Sequence, residues 1–566
     1  MPAAKAERSL IEPEEATIRN ENNLKIATDY MISTSSREAS EAGLQMLREG
    51  GTAIDAAIAA QLVLGLVEPQ SSGLGGGAFL LHWDSKKKEI KAFDGRETAP
   101  NEAKTDRFLI EGKPMPFLFA MRSGLSVGTP GVVQLMWKSH QTLGKLPWGR
   151  LFDPAIRLAK QGFKVSERLH LLLLSVGPEV FNQKGRDYFF DKKGLPRSQG
   201  YNLKNPEYAS TLENIAGLGV AGFYSGHISE AMIKAVALAP NMKGDLSIED
   251  LYNYKIEIKA PLCTPYRSFK VCSMPPPSSG GIAINQILQI LENYELGSSS
   301  KEAINAKALH LIVEAEKLAY ADRNLYLADP QFIKIPAELI DPKYLGERRK
   351  LLDINKSMPA PKAGTPSQKG EAQFGKDATF EATGTSQIST IDKEGNAVSM
   401  TTTVEGIFGS GIMTSGFLLN NQMTDFSFYP NDKEGKFVAN RVEAGKRPRS
   451  SMSPTLVFDS NNKLRFVLGS PGGGRIIFYL IKSLIALIDW KQNAYEAAAL
   501  LNFGSMGETL ELEYSWNAVL TGLKLKTYGH KISIDQMNSG LNILQLRENF
   551  IEGASDPRRE GSALGE

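Results

Sequence analysis

The composition of the chain changes abruptly at one point, where a segment unsuited to a packed core leads directly into the strongest strand pattern of the sequence. Residues 353–384 are rich in proline, glycine, lysine and serine and contain few large apolar residues. This composition is typical of a mobile segment. Residues 385–392 and 397–403 then read as two β-strands around the turn 393–396 (Lys-Glu-Gly-Asn). The fold must therefore accommodate a hairpin that begins where a mobile segment ends.

Taken alone, this feature reads as a linker between two domains. The chain has 566 residues, and at about 150 residues per domain that length suggests three or four domains. A strand that opens with Gly384-Thr385 directly after such a segment is nevertheless unusual for a linker.

Helical and strand patterns alternate through the rest of the chain, which predicts a mixed α/β (α+β) protein. Apolar spacing predicts helices over 38–48, 53–66, 131–140, 151–161, 228–237, 282–292 and 303–326, and a β-hairpin from 78–83 and 90–93. The apolar stretch 476–490 contains Lys482 and Asp489 and is shorter than the roughly 20 residues of a membrane span. We therefore expect a buried helix there and no membrane span.

The overall charge excludes a polyanionic partner. The 65 basic and 63 acidic residues give a net charge of +2, which leaves no field to attract nucleic acid. Residues 1–23 are polar and show no signal peptide. As the sequence stands this predicts a cytoplasmic protein, unless an export signal has been removed.

The cysteines and histidines of this sequence do not indicate a metal site. The two cysteines, Cys263 and Cys272, flank a predicted strand-turn-strand, and both a hairpin disulfide and two free buried thiols fit the pattern. The six histidines are scattered, with no metal-ligand spacing. We expect no metal and no cofactor.

Two loops are candidates for a binding or catalytic role. Residues 469–474 (GSPGGG) follow a predicted strand and open the apolar helix at Ile476. Their backbone N–H groups suit an anion or a developing oxyanion, although plain tight packing of strand to helix explains the glycines equally well. Residues 446–454 (KRPRSSMSP) place basic side chains beside paired hydroxyls, as in a carboxylate clamp or an ordinary surface loop.

At the level of motifs, the chain resembles the γ-glutamyltransferase family. The segments that carry this resemblance lie in family order and span nearly the whole chain from about Lys25 onward. They are 67–77 (VEPQSSGLGGG), 94–100 (DGRETAP), 274–281 (MPPPSSGG), 418–426 (LLNNQMTDF), 446–454, 469–475 (GSPGGGR) and 553–559 (GASDPRR).

The resemblance implies a four-layer αββα sandwich of the N-terminal-nucleophile hydrolase type, made as one inactive chain that cuts itself. The match places the cut between Gly384 and Thr385, giving a large subunit of residues 1–384 and a small catalytic subunit of residues 385–566. Residues 1–566 would then form a single interleaved domain. The new α-amino group of Thr385, with a reference pKa of about 7.7–8.0, can serve as the base for its own hydroxyl.

The resemblance also implies a site for a γ-glutamyl group such as that of glutathione, the donor, with water or an amino acid as acceptor. Thr403 aligns with a threonine that supports the nucleophile, and Gly472 and Gly473 align with oxyanion-hole N–H donors. The other matched residues align with contacts to the α-carboxylate (Arg96, Ser450 and Ser451) and to the α-ammonium (Glu405, Gln422 and Asp425).

Two departures from the family pattern leave other functions open. Gln387 stands where the family usually has histidine, which suggests a relative that binds γ-glutamyl compounds without cutting itself. The residues at 440–441 (Asn-Arg) and 447–449 (Arg-Pro-Arg) are more similar to those of a family branch that includes cephalosporin acylases. That branch suggests an acylase for glutaryl or similar groups.

Overall fold

The computed structural model describes residues 24–366, 374–379, 381 and 383–566. Within these residues the core contains two large sheets of seven strands each. In spatial order, the strands of the first sheet are Ser562–Gly565, Met31–Thr34, Gly384–Ile391, Ala397–Glu405, Gly77–Asp84, Glu89–Gly95 and Glu257–Lys259. We call Gly384–Ile391 the junction strand and Ala397–Glu405 the return strand.

The second sheet lies against the first, and polar as well as apolar contacts join them. Its strands, in order, are Lys25–Ala27, Ile551–Ser555, Asn542–Leu546, Leu464–Gly469, Thr455–Asp459, Phe269–Ser273 and Leu262–Tyr266. Ser399 Oγ of the return strand donates to the Leu468 carbonyl oxygen at 2.8 Å, and Ser389 Oγ of the junction strand donates to the Asn542 carbonyl oxygen at 2.9 Å. The two strands of the predicted hairpin therefore face the second sheet.

Helices cover the outer face of each sheet. The helix Ala53–Val67 is buried along its whole length and packs on the junction and return strands. It begins with a capping box between Thr52 and Asp55. On the other side, the helices Gly280–Leu291, Ala306–Tyr326 and Ile476–Ile488 pack with the second sheet in one apolar cluster.

This order of layers confirms the predicted four-layer αββα sandwich. The remaining helices are Arg37–Arg48, Phe117–Met121, Val132–Leu143, Asp153–Gln161, Glu167–Val176, Gln183–Phe189, Pro206–Leu218, Ala221–Tyr224, Gly226–Ala237, Ile248–Asn253, Pro342–Arg349, Ala494–Ala499 and Trp516–Thr527. Short strands lie outside the sandwich at Leu109–Ile110, Lys113–Pro114, Phe163–Lys164, Asn202–Leu203, Met413–Thr414, Phe417–Leu418, Phe503–Gly504, Thr509–Glu513 and Lys531–Asp535.

Both sheets contain strands from each side of position 384. In the first sheet the junction strand pairs with Met31–Thr34, and the return strand pairs with Gly77–Asp84. In the second sheet Phe269–Ser273 pairs with Thr455–Asp459. The initial expectation of separate domains around a linker therefore does not describe these sheets, while the cut itself and the two subunits stay predictions.

Several local predictions can be compared directly with the structure. The expected helix at 53–66 is Ala53–Val67, and the expected hairpin is Gly77–Asp84 with Glu89–Gly95. Cys263 and Cys272 lie opposite each other in a hairpin and form a disulfide, so the alternative of two free thiols is wrong. Across the described ranges, each helix is too short or too polar to cross a membrane.

The predicted mobile segment 353–384 is only partly covered. Residues 367–373, 380 and 382 lie outside the described residues, as do residues 1–23, where no signal peptide is expected. Within the covered part, the Gly364 N–H donates to Asp322 at 2.8 Å, and Asp377 forms an ion pair with Arg449 at 2.9 Å. Mobility of the segment as a whole stays a prediction.

Candidate active site

The peptide bond between Gly384 and Thr385 lies at an irregularity of the hairpin. Thr385 is opposite Thr403 in the return strand, whereas Gly384 is opposite Glu405, so Val404 is an extra residue at this point. Glu405 adopts a φ of +81°, a left-handed conformation that residues with a side chain rarely adopt. The bulge and the strained residue therefore coincide with the bond predicted to be cut.

A hydroxyl group holds the carbonyl of this bond. Thr403 Oγ1 donates to the Gly384 carbonyl oxygen at 2.6 Å and accepts the Glu405 N–H at 2.8 Å. A Cβ atom on Gly384 would lie 2.5 Å from the Glu405 carbonyl oxygen and 2.6 Å from that of Gly406. Only glycine therefore fits here, and the hydrogen bond from Thr403 polarises the Gly384 carbonyl.

Thr385 itself is buried, and its backbone is fixed by an arginine from the end of the chain. Arg559 Nη1 donates to the Thr385 carbonyl oxygen at 3.1 Å. The adjacent hydroxyl of Ser386 donates to Glu68 at 2.8 Å. Arg559 and Glu68 lie in segments that carry the family resemblance, but the sequence alone did not indicate a role for either of them.

The glycine-rich loop borders the same cavity. Gly472 and Gly473 have φ values of +135° and +53°, and the helix Ile476–Ile488 follows them. A Cβ atom on Gly472 would lie 2.5 Å from the Tyr479 ring. Gly473 lines a cavity together with Thr385. Gly473 therefore shares a cavity with the predicted nucleophile, whereas Gly472 lines the neighbouring cavity, and the N–H donation of both residues stays a prediction.

The residues predicted to bind an ammonium group converge at one end of the cavity. Asp425 Oδ2 accepts from Gln422 Nε2 at 2.7 Å and from Arg96 Nη2 at 2.5 Å, and Glu405 lies beside them. Asp425 Oδ1 is buried and accepts no hydrogen bond from an amide, hydroxyl or guanidinium group of the described residues. Burial raises the pKa of Asp425, although the charge of Arg96 opposes that shift. Two carboxyl groups, Asp425 and Glu405, nevertheless face one guanidinium group here, and this balance favours a positively charged ligand group.

Of the residues predicted to bind the α-carboxylate, Arg96 already forms hydrogen bonds with groups of the protein. Besides Asp425, its guanidinium donates to the carbonyl oxygens of Pro448 at 3.2 Å and Arg449 at 3.0 Å. Ser450 lines the cavity, and its hydroxyl accepts the Met452 N–H at 3.1 Å. Arg96 therefore fixes the loop that carries the serines, and direct contact with a substrate stays a prediction.

The third of these residues, Ser451, contacts a carboxylate that no sequence motif indicates, that of Glu381. Ser451 Oγ donates to Glu381 at 2.6 Å, and the same carboxylate forms ion pairs with Arg323 and with Arg449, the latter at 3.6 Å. Burial would raise the pKa of Glu381, but the charges of Arg323 and Arg449 lower it to about 2. No local motif indicates this cluster, because its members come from a helix, a loop and residues 353–384.

Gln387, the departure from the family pattern, is fully bonded inside the sandwich. Its Oε1 accepts from Thr401 Oγ1 at 2.6 Å, and its Nε2 donates to Ser399 Oγ at 3.0 Å and to the Ile388 carbonyl oxygen at 2.9 Å. A Cβ atom on Gly469 would lie 2.2 Å from the Gln387 side chain. The glutamine thus holds the junction strand to its neighbours through hydrogen bonds.

One group of possible metal ligands lies away from this cavity. His310 and Glu314 are one turn apart on the helix Ala306–Tyr326, and His530, which is distant in sequence, is buried with them. His310 Nδ1 and His530 Nε2 form a hydrogen bond of 2.8 Å, and Lys317 Nζ donates to Glu314 at 2.8 Å. An ammonium group in this position favours a hydrogen-bonded cluster over a cation site.

Known proteins are similar to this chain in sequence and in fold along most of its length. The gamma-glutamyltranspeptidase family model matches residues 39–566. A glutathione hydrolase proenzyme from Escherichia coli (strain K12) is 37% identical over 542 residues, which cover 94% of this chain and 91% of that protein. An acylase ACY 1 proenzyme from Pseudomonas sp. (strain SE83) is 30% identical over 546 residues, or 94% of this chain and 93% of that protein.

Among solved structures, the crystal structure of a cephalosporin acylase from Bacillus halodurans matches with a TM-score of 0.85. It is 25% identical and covers 98% of this chain and 99% of that chain. The site, the fold and the sequence matches agree, and the chain belongs to the gamma-glutamyltranspeptidase family.

Proposed function

We propose that this protein is a self-processing γ-glutamyltransferase/hydrolase that cleaves γ-glutamyl amides such as glutathione and passes the acyl group to water or an amino acid. The single observation that carries the proposal is the hydrogen bond from Thr403 Oγ1 to the Gly384 carbonyl oxygen, directly before Thr385. It prepares that carbonyl for attack at the position where an N-terminal nucleophile must be released.

Maturation begins with attack of Thr385 Oγ1 on the Gly384 carbonyl carbon. The C–N bond breaks, the nitrogen takes up the proton lost by the hydroxyl, and an ester joins the two residues. Water then hydrolyses the ester, leaving a carboxylate on Gly384 and a free α-amino group on Thr385. Thr403 stabilises the negative charge that develops on the carbonyl oxygen.

In the mature enzyme the α-amino group of Thr385 takes the proton from its own hydroxyl, which attacks the γ-carbonyl of the donor. The N–H groups of Gly472 and Gly473 receive the oxyanion, and the leaving amine takes the proton. Water or an amino acid then attacks the acyl-enzyme. The loop geometry described above supports this assignment, and no cofactor is needed.

The two charged groups on the α-carbon of the glutamyl moiety set the donor specificity. Asp425, Glu405 and Gln422 bind the α-ammonium, while Arg96 fixes the loop in which Ser450 and Ser451 face the α-carboxylate. Contacts to both charged substituents fix the α-carbon, and with it the position of the γ-carbonyl over Thr385.

A first experiment tests maturation. On a denaturing gel, with N-terminal sequencing of each band, we expect the wild type to give two polypeptides, one of which starts at Thr385. Thr385→Ala should remain a single chain. Thr390→Ala is the matched control, because Thr390 is buried in the same strand and its hydroxyl has no hydrogen-bond partner in the described residues. A wild type that stays uncut would favour the non-processing relative.

A second experiment distinguishes the γ-glutamyl enzyme from an acylase, an alternative that the similarity to the two acylases supports. We expect faster release from γ-glutamyl-p-nitroanilide than from glutaryl-p-nitroanilide, because glutaryl lacks the ammonium group. Asp425→Asn should reduce that preference by about tenfold or more, as expected for a lost charge-assisted hydrogen bond. Faster glutaryl release by the wild type would favour the acylase.

A further inference from the structure

Two buried arginines and a serine form a carboxylate site that Glu381 occupies in the uncut chain. We propose that Arg323, Arg449 and Ser451 bind the distal carboxylate of the acyl donor, and that Glu381 holds this position until the chain is cut. The inference rests on the proposed function and deepens it, because it assigns substrate binding to two arginines that the family resemblance did not mark.

The contacts of the cluster match those of a carboxylate subsite. Ser451 Oγ donates to one oxygen of Glu381 at 2.6 Å, and the guanidinium of Arg323 contacts the other oxygen. Arg323 Nη2 also donates to Ser451 Oγ at 2.7 Å, and Arg449 lies 3.6 Å from the carboxylate. Planar guanidinium groups are well suited to this geometry.

The charges of the cluster require an anion at this position. The side chains of Arg323 and Arg449 are 4% and 2% exposed, so water screens them little. Asp377 pairs with Arg449 at 2.9 Å and balances one of the two charges, and Glu381 balances the other. If Glu381 leaves, one buried positive charge has no partner, which is costly unless another carboxylate replaces it.

The position of Glu381 explains how the same carboxylate can block a substrate. Its side chain lines both the small cavity of Thr385, of about 20 Å³, and a neighbouring cavity of about 180 Å³. The smaller volume has room for about one water molecule. The uncut chain therefore has no room for an acyl donor beside Thr385, and Glu381 is one of the side chains that fill this space. After cleavage, Glu381 is three residues from a free chain end.

The ligand group is the carboxylate at the far end of a five-carbon acyl chain, and two sources share it. A γ-glutamyl group carries this carboxylate beside an ammonium group, whereas a glutaryl group carries it alone. Asp425 is assigned to the ammonium group, which only the γ-glutamyl group carries. Arg323 and Arg449 are assigned to the carboxylate, which both acyl groups carry, so they should contribute to the binding of both.

The first test compares p-nitroanilides of γ-glutamate, glutarate and butyrate, the last without a carboxylate. In Arg449→Leu we expect the kcat/KM ratios of glutaryl to butyryl and of γ-glutamyl to butyryl to fall by about tenfold or more, through KM. Arg441→Leu is the matched control, because Arg441 lies in the same loop and pairs with Glu443 outside the cavity. Unchanged ratios in Arg449→Leu would overturn the inference, and a fall for only one acyl group would restrict the subsite to that source.

The second test needs no activity and uses glutarate as the probe in isothermal titration calorimetry. Uncut Thr385→Ala should not bind glutarate, the double variant T385A/E381A should bind it, and adding R449L should abolish that binding. Equal binding by the first two proteins, or none by the double variant, would overturn the inference. A protein that binds glutarate in this pattern but releases none of the three acyl groups would contradict the proposed function alone.

Discussion

Thr403 connects the strained hairpin to the chemistry at residue 384. Thr403→Val keeps the shape of the side chain and removes the hydroxyl that donates to the Gly384 carbonyl oxygen. Because one donor to a developing oxyanion accounts for roughly a hundredfold in rate, we expect self-cleavage to slow by about that factor. The measurement is the fraction of uncut chain on a denaturing gel over time.

Two neighbouring variants control this prediction. Thr403→Ser should restore cleavage, because it restores the hydroxyl. Thr402→Val should leave the rate near that of the wild type, because its hydroxyl faces the Gly77 carbonyl oxygen at 3.3 Å and not the junction. Normal cleavage in Thr403→Val would show that the hydrogen bond has no part in maturation.

Glu97, next to Arg96, gives the protein a specific pH dependence. Both carboxyl oxygens are buried without a hydrogen-bond partner among the described residues, and burial raises the pKa of Glu97 from 4.5 to about 8. Between these values the unfolded chain has lost the proton and the folded chain keeps it. The free energy of unfolding therefore falls as pH rises through this window, by up to ~1.4 kcal/mol per pH unit for this group.

Glu97→Gln removes this titration. The free energy of unfolding of the variant should therefore fall less steeply with rising pH, between about pH 5 and 8, than that of the parent protein. The measurement is urea unfolding of the uncut Thr385→Ala protein with and without the second substitution. Glu89→Gln, at an exposed glutamate, is the control and should follow the parent slope. Identical slopes for all three proteins would mean that Glu97 is already ionised at neutral pH.

At the scale of the element, the junction strand depends on the absence of a side chain at its first residue. Gly384→Ala would place a Cβ atom 2.5 Å from the Glu405 carbonyl oxygen, and backbone atoms at that distance must shift. We expect this variant to remain largely uncut and to unfold at lower urea concentration. Gly346→Ala is the control, because its Cβ would have no neighbour within 4 Å and alanine favours a helix.

The elements could be predicted from the sequence wherever their pattern is local. The alternation after residue 384 predicted both strands of the hairpin, and the apolar spacing at 53–66 predicted a helix that the structure extends by one residue. The extra residue Val404 escaped prediction, because a bulge is defined by the register of two strands and not by either strand alone.

The residues of the candidate site were likewise predictable where a local motif marks them, and were missed where only the tertiary structure brings them together. Asp425 and the glycine loop lie in segments that carry the family resemblance, and the match as a whole placed the predicted nucleophile at Thr385. The contact of Arg323 with Glu381 joins residues 58 positions apart through tertiary structure, and no composition or spacing near either residue indicates it. The pairing of His310 with His530 was missed for the same reason.

For the whole molecule, the distribution of strands predicts different refolding before and after cleavage. The two sheets combine strands from both sides of residue 384, and the Cys263–Cys272 disulfide lies entirely on one side. We expect the uncut Thr385→Ala chain to regain more of its far-UV circular dichroism after dilution from urea than the cut wild type. Equal recovery would mean that the two pieces find each other as readily as one chain folds.

The sharing of strands within each sheet also determines which copies can be partners. If the chain is cut only after both sheets have formed, each small subunit is already hydrogen-bonded to the large subunit of its own precursor, and exchange would require both sheets to open. A cell that makes an active and an inactive version of this protein would then contain two separate populations and no mixed pairs. Inactive copies would then lower the average activity per molecule, but their subunits would not pair with those of active copies and inactivate them.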